Sequence, residues 1–205
     1  MVEIKTPPRV YIARHAETAW SLSGQHTGLT DLSLTEHGEN NARRLGDRLQ
    51  EISFEKVYTS PLRRALTTCE LAGFGPSAEI DADLVEWNYG KYEGMLTTEI
   101  LAERPGWSLF RDGCPDGESP DQVAERARRV LRRIHQADGN VLLFSSGHFL
   151  RVLATHWLGI ETLYAKCFML STASVSALGY EGTRKEPAVL LWNDTHHLRA
   201  ANLSS

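Results

Sequence analysis

The feature that most constrains the fold is Val141-Leu142-Leu143-Phe144, four consecutive apolar residues with nothing polar between them. An alternating strand can keep one face in water. An unbroken apolar run has to be covered on both faces, which is the pattern of a buried strand in a parallel sheet. Parallel neighbours need long crossover connections, usually helices, and the chain supplies them. Residues 10–13 form another short apolar run, and residues 56–59 read as a further strand. Between them Leu45, Leu49 and Ile52 fall at helical spacing, with Thr35 or Gly38 placed to cap the start. Ser60-Pro61 pairs an N-cap serine with a proline at the first helical position, which predicts a helix to about residue 72; Gly73-Phe74-Gly75-Pro76 then breaks it. Ser119-Pro120 opens another helix to about residue 137, and residues 148–158 are helical in pattern. Ile80 and Leu84-Val85 are shorter strand candidates, and residues 175–180 and 189–192 read as the final strands. Residues 90–118, rich in glycine and proline, suit a small cap of loops and short helices, and residues 200–205 a loose tail.

The expectation is an α/β three-layer sandwich with a largely parallel central sheet and helices on both faces. A chain of 205 residues suits a single domain over 1–205, with the cap inserted at about 90–118. The net charge of −4 carries no nucleic-acid footprint, so any anion must be held by local basic residues. Cys69, Cys114 and Cys167 are odd in number and widely spaced, which fits neither a disulfide framework nor a zinc motif and points to free thiols in a reducing compartment. Residues 1–9 lack the apolar run of a signal peptide, and no stretch approaches the ~20 apolar residues of a membrane span. The default expectation is a cytoplasmic protein without a membrane partner.

In open α/β sheets ligands bind beyond the carboxyl ends of the strands. Three polar segments sit at such ends: Arg14-His15, Thr59-Ser60 and Ser145-Ser146-Gly147-His148. A neutral imidazole can attack phosphorus, and neighbouring guanidinium groups can both hold phosphate oxygens and disfavour imidazolium. Arg63 is expected in the first turn of the helix that follows Ser60, a natural phosphate site, with Arg64 on its solvated face. Glu86 lies beside Trp87 and Tyr89. A carboxyl partly desolvated by aromatic neighbours is favoured in its protonated form, as a leaving-group acid must be. Taken singly, each of these is also compatible with an ordinary polar loop, helix face or surface acid.

Together and in this order they are specific. Arg14-His15-Ala16-Glu17-Thr18 resembles the Arg-His-Gly-Glu-Thr signature of the phosphoglycerate-mutase-like histidine phosphatase superfamily, with Ala16 for the usual glycine. Residues 24–31, Leu34-Thr35, residues 59–65 and Glu86-Trp87-Asn88-Tyr89-Gly90 continue the match, which covers about residues 10–180. The resemblance implies His15 as nucleophile, Arg14 and Arg63 as holders of the transferred phosphate, and Glu86 as proton donor and later as base for water. It places Ser21, Thr27, Gly28 and Tyr89 in the substrate pocket, with Gly147 and His148 beside it. It implies a small phosphate ester as substrate, and no cofactor or metal. Residues 86–97, 111–119 and 146–151 resemble the sedoheptulose-1,7-bisphosphatase and acid phosphatase branch, which implies a sugar phosphate or sugar bisphosphate.

One position departs. The superfamily carries a second catalytic histidine just after the late buried strand, in a His-Gly pair, and here Ser146 precedes Gly147. Serine donates one hydrogen bond but no positive charge, and losing one preorganised donor costs on the order of 10²–10³ in rate. Three readings stay open: an engineered replacement that traps a ligand, a natural variant with slower chemistry, or substitution by His148 after a local shift. A phosphoglycerate mutase is the alternative within enzymes, opposed by Thr97 where mutases carry lysine and by the lack of a further Arg-Arg pair in the cap. A weakened phosphate-binding domain is the alternative from another class.

The other polar residues have plainer readings. His26 is as compatible with solvent as with the pocket mouth. His37, His135 and His156 suit caps or surface, and His196-His197 alone offers too few ligands for a metal. Arg126, Arg128, Arg129, Arg132 and Arg133 read as a solvated helix face paired with acids. Trp107 and Phe110 read as packing of the cap. A homodimer through a sheet edge is compatible with the apolar strands, which do not demand one.

Overall fold

The computed structural model describes residues 7–199; the tail expected at 200–205 lies outside them. Six strands form one sheet: β1 (Val10–Arg14), β2 (Lys56–Thr59), β3 (Ala78–Ile80), β4 (Val141–Ser145), β5 (Val175–Tyr180) and β6 (Pro187–Asp194). Their spatial order is β3-β2-β4-β1-β5-β6. The first four are mutually parallel, and β5 and β6 are antiparallel additions at one side.

Strand periodicity sorts the core into two halves. Val10 and Ile12 of β1, with Val141 and Leu143 of β4, face α6 (Pro120–Ile134) and α7 (Gly147–Trp157). Tyr11 and Ala13, with Leu142 and Phe144, face α2 (Glu36–Leu49) and α3 (Arg63–Leu71). The unbroken apolar run of β4 is therefore covered on both faces, and the sandwich has the three layers expected. Between β3 and α6 the chain makes short turns and two small helices, α4 (Thr97–Glu103) and α5 (Leu109–Asp112); Trp107 from the connection between them and Phe110 of α5 are buried packing residues.

Local signals set most element ends. Thr35 caps α2 by accepting from the Gly38 N–H, and Ser119 caps α6 in a capping box with Gln122, with Pro120 at the first position. Three expectations need correction. A short helix, α1 (Ala19–Ser23), interrupts the loop after β1, closed by a Thr18–Ser21 capping box. Residues 82–84 form a 3-10 turn, so Leu84-Val85 is no strand. The helix expected from Ser60 starts at Arg63 instead. Ser60 Oγ accepts from the Leu62 N–H at 3.3 Å, and Asp31 Oδ1, from a distant loop, takes the Arg63 N–H at 2.7 Å.

Helices α2 and α3 pack so closely that a Cβ built on Gly46 would lie 2.7 Å from the Ala72 carbonyl oxygen. Alanine at position 46 would gain up to about 1 kcal/mol of helix propensity. It would also force backbone apart, at a cost of about 1–3 kcal/mol. Gly46→Ala is expected to lower the urea midpoint of unfolding; a raised midpoint would contradict this close packing.

Candidate active site

The parallel register brings the three polar segments together. Arg14 is opposite Ser145 and Thr59 is opposite Phe144, so His15, Ser60 and Ser146 leave adjacent strands side by side. His15 is fixed at both backbone groups: its N–H donates to the Ser145 carbonyl at 2.9 Å, and its carbonyl accepts from the Ala173 N–H at 3.1 Å. Ala16 is fully buried against Ala42 and Ala173, so small size is what this position requires.

The His15 ring is buried, and Nδ1 donates to the Ala16 carbonyl at 2.8 Å. A neutral ring with its proton on Nδ1 leaves the Nε2 lone pair free. Burial pushes the imidazole well below its ordinary range, and the charges of Arg64 and then Arg14 push it further down, against a smaller opposing effect from the Ala16 hydrogen bond. His15 is thus held as a free base, the form a nucleophile needs.

Arg14 donates through Nη1 to the Leu170 carbonyl, while its Nε is buried without an acceptor. The two arginines of α3 are placed opposite to expectation. Neither lines the cavity, but Arg63 is exposed, whereas Arg64 is fully buried and close enough for its charge to act on the His15 imidazole. The inward face of α3 is Arg64, Ala65, Thr68 and Cys69, and the late start of the helix turns Arg63 to solvent. Arg64 Nη2 donates to the carbonyls of Gly28 at 2.7 Å and Thr27 at 3.1 Å, and Nη1 to Thr30 at 3.0 Å. Its Nε, like that of Arg14, is buried without an acceptor. The signal for Arg64 was present in the sequence: it stands four residues before Thr68 on the stripe of small residues that faces the core.

Glu86 is buried, and its carboxylate is docked on the N-terminus of α7. It accepts from the N–H groups of Phe149 at 2.7 Å, His148 at 2.9 Å and Trp87 at 2.9 Å. Aromatic surroundings alone, as expected from the sequence, describe this site incompletely: backbone donors orient the carboxyl. Ser146 is the N-cap residue of α7 yet makes no capping bond, and its hydroxyl is buried without a partner. It does not line the cavity.

A cavity of about 230 Å³ opens over His15, lined by Arg14, Ser21, Thr27, Glu86, Tyr89, Gly147 and His148 among the residues expected there. Gly28 is not among them; a Cβ there would meet the Trp87 carbonyl at 2.6 Å, and its N–H is held by Glu93 at 2.8 Å, so it is a packing glycine. At Gly147 a Cβ would stand 3.2 Å from Arg14 Nε, so the missing side chain admits the guanidinium. The Tyr89 hydroxyl and His148 Nδ1 share a hydrogen bond at 2.5 Å. Burial raises the Tyr89 hydroxyl well above its ordinary range and holds His148 well below its own, with the charges of Arg151, His26 and Arg14 adding to the latter. Both partners are therefore neutral. His26 is also buried on the cavity wall, with Nε2 at 3.3 Å from Thr97 Oγ1.

Arg151, given no role from the sequence, also lines the cavity. It lies on α7, over the Phe110 ring at 4.6 Å, with Nε donating to the Ala165 carbonyl at 2.9 Å. No ion pair of Arg14, Arg64 or Arg151 occurs among the described residues. Those residues also contain no group of three or more His, Cys, Asp and Glu side chains placed to hold a metal, and no helix long and apolar enough to cross a membrane.

Comparison with known proteins places this geometry. A family model described as the histidine phosphatase superfamily, branch 1, matches residues 10–195. An acid phosphatase of Mycobacterium tuberculosis is 39% identical over 186 residues, covering 89% of this chain and 91% of that protein. A sedoheptulose 1,7-bisphosphatase of Saccharomyces cerevisiae is 40% identical over 186 residues, covering 75% of this chain and 68% of that protein. The solved structure of a Mycobacterium tuberculosis open reading frame superposes with a TM-score of 0.85 at 36% identity, covering 91% of this chain and 97% of that one.

The buried histidines set a pH dependence of stability. Their folded pKa values lie below the ordinary 6.5. Below that pH the unfolded chain binds more protons than the folded one, so the stabilisation is complete above pH 6.5 and is lost as pH falls. Each such group contributes up to about 1.4 kcal/mol per pH unit. Urea unfolding at pH 7.5 and 5.5 is expected to show a marked fall in stability, and a smaller fall for His148→Gln. Equal falls in both proteins would show that His148 is not held neutral by the fold.

Proposed function

The chain belongs to the histidine phosphatase superfamily and is a phosphatase, and we propose that it hydrolyses a small phosphorylated metabolite, a sugar phosphate or sugar bisphosphate, through a phosphohistidine at His15. The observation that carries this reading is the His15 imidazole, buried, neutral and with Nε2 free, in the field of two guanidinium groups whose Nε donors lack acceptors. Buried donors without partners are costly, and phosphate oxygens are suited to take them.

In this scheme Nε2 of His15 attacks phosphorus and the bond from phosphorus to the ester oxygen breaks. Glu86 gives that oxygen its proton, and the alcohol leaves. Glu86 then takes a proton from water, which attacks the phosphohistidine, and inorganic phosphate is released. Arg14 and Arg64 hold the transferred group throughout; the role expected of Arg63 passes to Arg64, because only Arg64 is turned toward the core beside His15.

The substrate class rests on the other residues that line the cavity. Arg151 adds a second cationic group to the cavity beside Arg14, and the neutral His148 ring adds a polar group. A second phosphate and sugar hydroxyls suit that pair, and the relative from Saccharomyces cerevisiae acts, by its name, on a sugar bisphosphate. Thr97 in the cavity lining, with no lysine among the cavity residues, favours hydrolysis over the mutase alternative.

Ser146 follows Ser145 directly beside His15 and supplies no charge. Phosphate release from sedoheptulose 1,7-bisphosphate, fructose 1,6-bisphosphate and simple esters is the test, with the chain beside Ser146→His. The histidine variant is expected to be faster by about 10²–10³. Equal rates would show that position 146 is not a catalytic position. Vanadate binding by both without phosphate release from any ester would favour the phosphate-binding domain.

A further inference from the structure

We propose that Arg126 and Glu118 form a positioning pair for Glu86, fixing its carboxyl for proton transfer to the leaving group; this rests on the reading of Glu86 given above. Arg126 was expected on a solvated helix face, but it is buried. All five of its N–H donors are used. Nη1 donates to the carbonyls of Asp83 at 2.8 Å and Val85 at 2.9 Å, and Nη2 to that of Glu86 at 3.2 Å. Nε and Nη2 together grip the Glu118 carboxylate at 2.7 and 2.8 Å.

The need for such a clamp follows from the local backbone. Residues 85–89 belong to neither helix nor strand, so their polar groups must be satisfied from elsewhere. Glu118 takes up the other half of the segment. Its Oε2 accepts from the Asn88 N–H at 2.8 Å, its carbonyl from Trp87 Nε1 at 2.9 Å, and its own N–H donates to the Asn88 carbonyl at 2.9 Å. Arg126 thus holds the chain up to Glu86, and Glu118 holds it just beyond.

A second contact ties the pair to the carboxyl itself. The guanidinium lies over the Phe149 ring at 4.7 Å, and Phe149 is the residue whose N–H donates to Glu86 Oε1 at 2.7 Å. Both ends of Glu86, main chain and carboxylate, are therefore referred to one rigid plane. Lysine keeps the charge but lacks the planar fork, so it cannot reproduce these contacts. A small misplacement of a reacting group is enough for about a 10²-fold loss.

The test is leaving-group selectivity, measured as kcat/KM for an alkyl phosphate, whose oxygen needs the proton, and for p-nitrophenyl phosphate, whose oxygen does not. Arg126→Lys and Glu118→Gln are both made, with Phe149→Leu as the mildest variant because it keeps every polar partner. The expected result is a loss of about 10²-fold on the alkyl ester and less than about threefold on the aryl ester. Combined with Glu86→Gln, each change adds no further loss on the alkyl ester. A purely structural role predicts equal loss on both esters, and that outcome, or losses that multiply with Glu86→Gln, overturns the proposal. If Glu86→Gln alone shows no selectivity, the reading of Glu86 fails first and the proposal falls with it.

Discussion

The parallel pairing of β1 with β4 is the interaction on which the site depends. One register, Arg14 opposite Ser145, brings His15 and Ser146 off the sheet together and aims the N-terminus of α7 at the same place. The His15 N–H is held by the Ser145 carbonyl, so the backbone at His15 is an extension of the ladder. Glu86 arrives from a loop, and the N-terminal amides of α7 hold it. Because β4 is covered on both faces, none of these groups can shift without disturbing packed core.

The electrostatics follow from that burial. Arg14 and Arg151 line a cavity in which Glu86 is the buried acid, and the charge of buried Arg64 acts on His15 beside it. Burial lowers the pKa of all three arginines, and Glu86 is the charge that most strongly opposes the shift in each. The same burial and positive field keep His15 neutral. Such an arrangement spends folding free energy on unpaired cations and suits an incoming dianion. The serine at position 146 adds no charge to that field, and its hydroxyl is buried without a partner.

Much of this was readable from the residues, and the failures have physical causes. The strands of the core were legible because an unbroken apolar run has few alternatives, and α6 because Ser119, Pro120 and Gln122 give a local start signal. The start of α3 was not, because Asp31, 32 residues away in sequence, caps the helix in place of Ser60. That shift exchanged the environments of Arg63 and Arg64. Arg126 was hidden among five arginines of one helix, where charge suggests a wet face. Yet it stands three residues after Val123 and four before Val130, on the stripe that α6 buries. In both cases the position relative to the apolar stripe was better evidence than the residue type. The pocket role of Arg151 and the Glu118 clamp needed contacts between distant segments, which no local pattern carries.

The central claim is that His15 carries the phosphoryl group. The most direct measurement is rapid acid-free quenching of the protein with a ³²P-labelled phosphate ester, followed by peptide mapping of the label. The account predicts label on His15, stable to base and labile to acid, as a phosphoramidate is, and absent in His15→Ala. Label on another residue, or turnover without label while His15→Ala retains full activity, would contradict it.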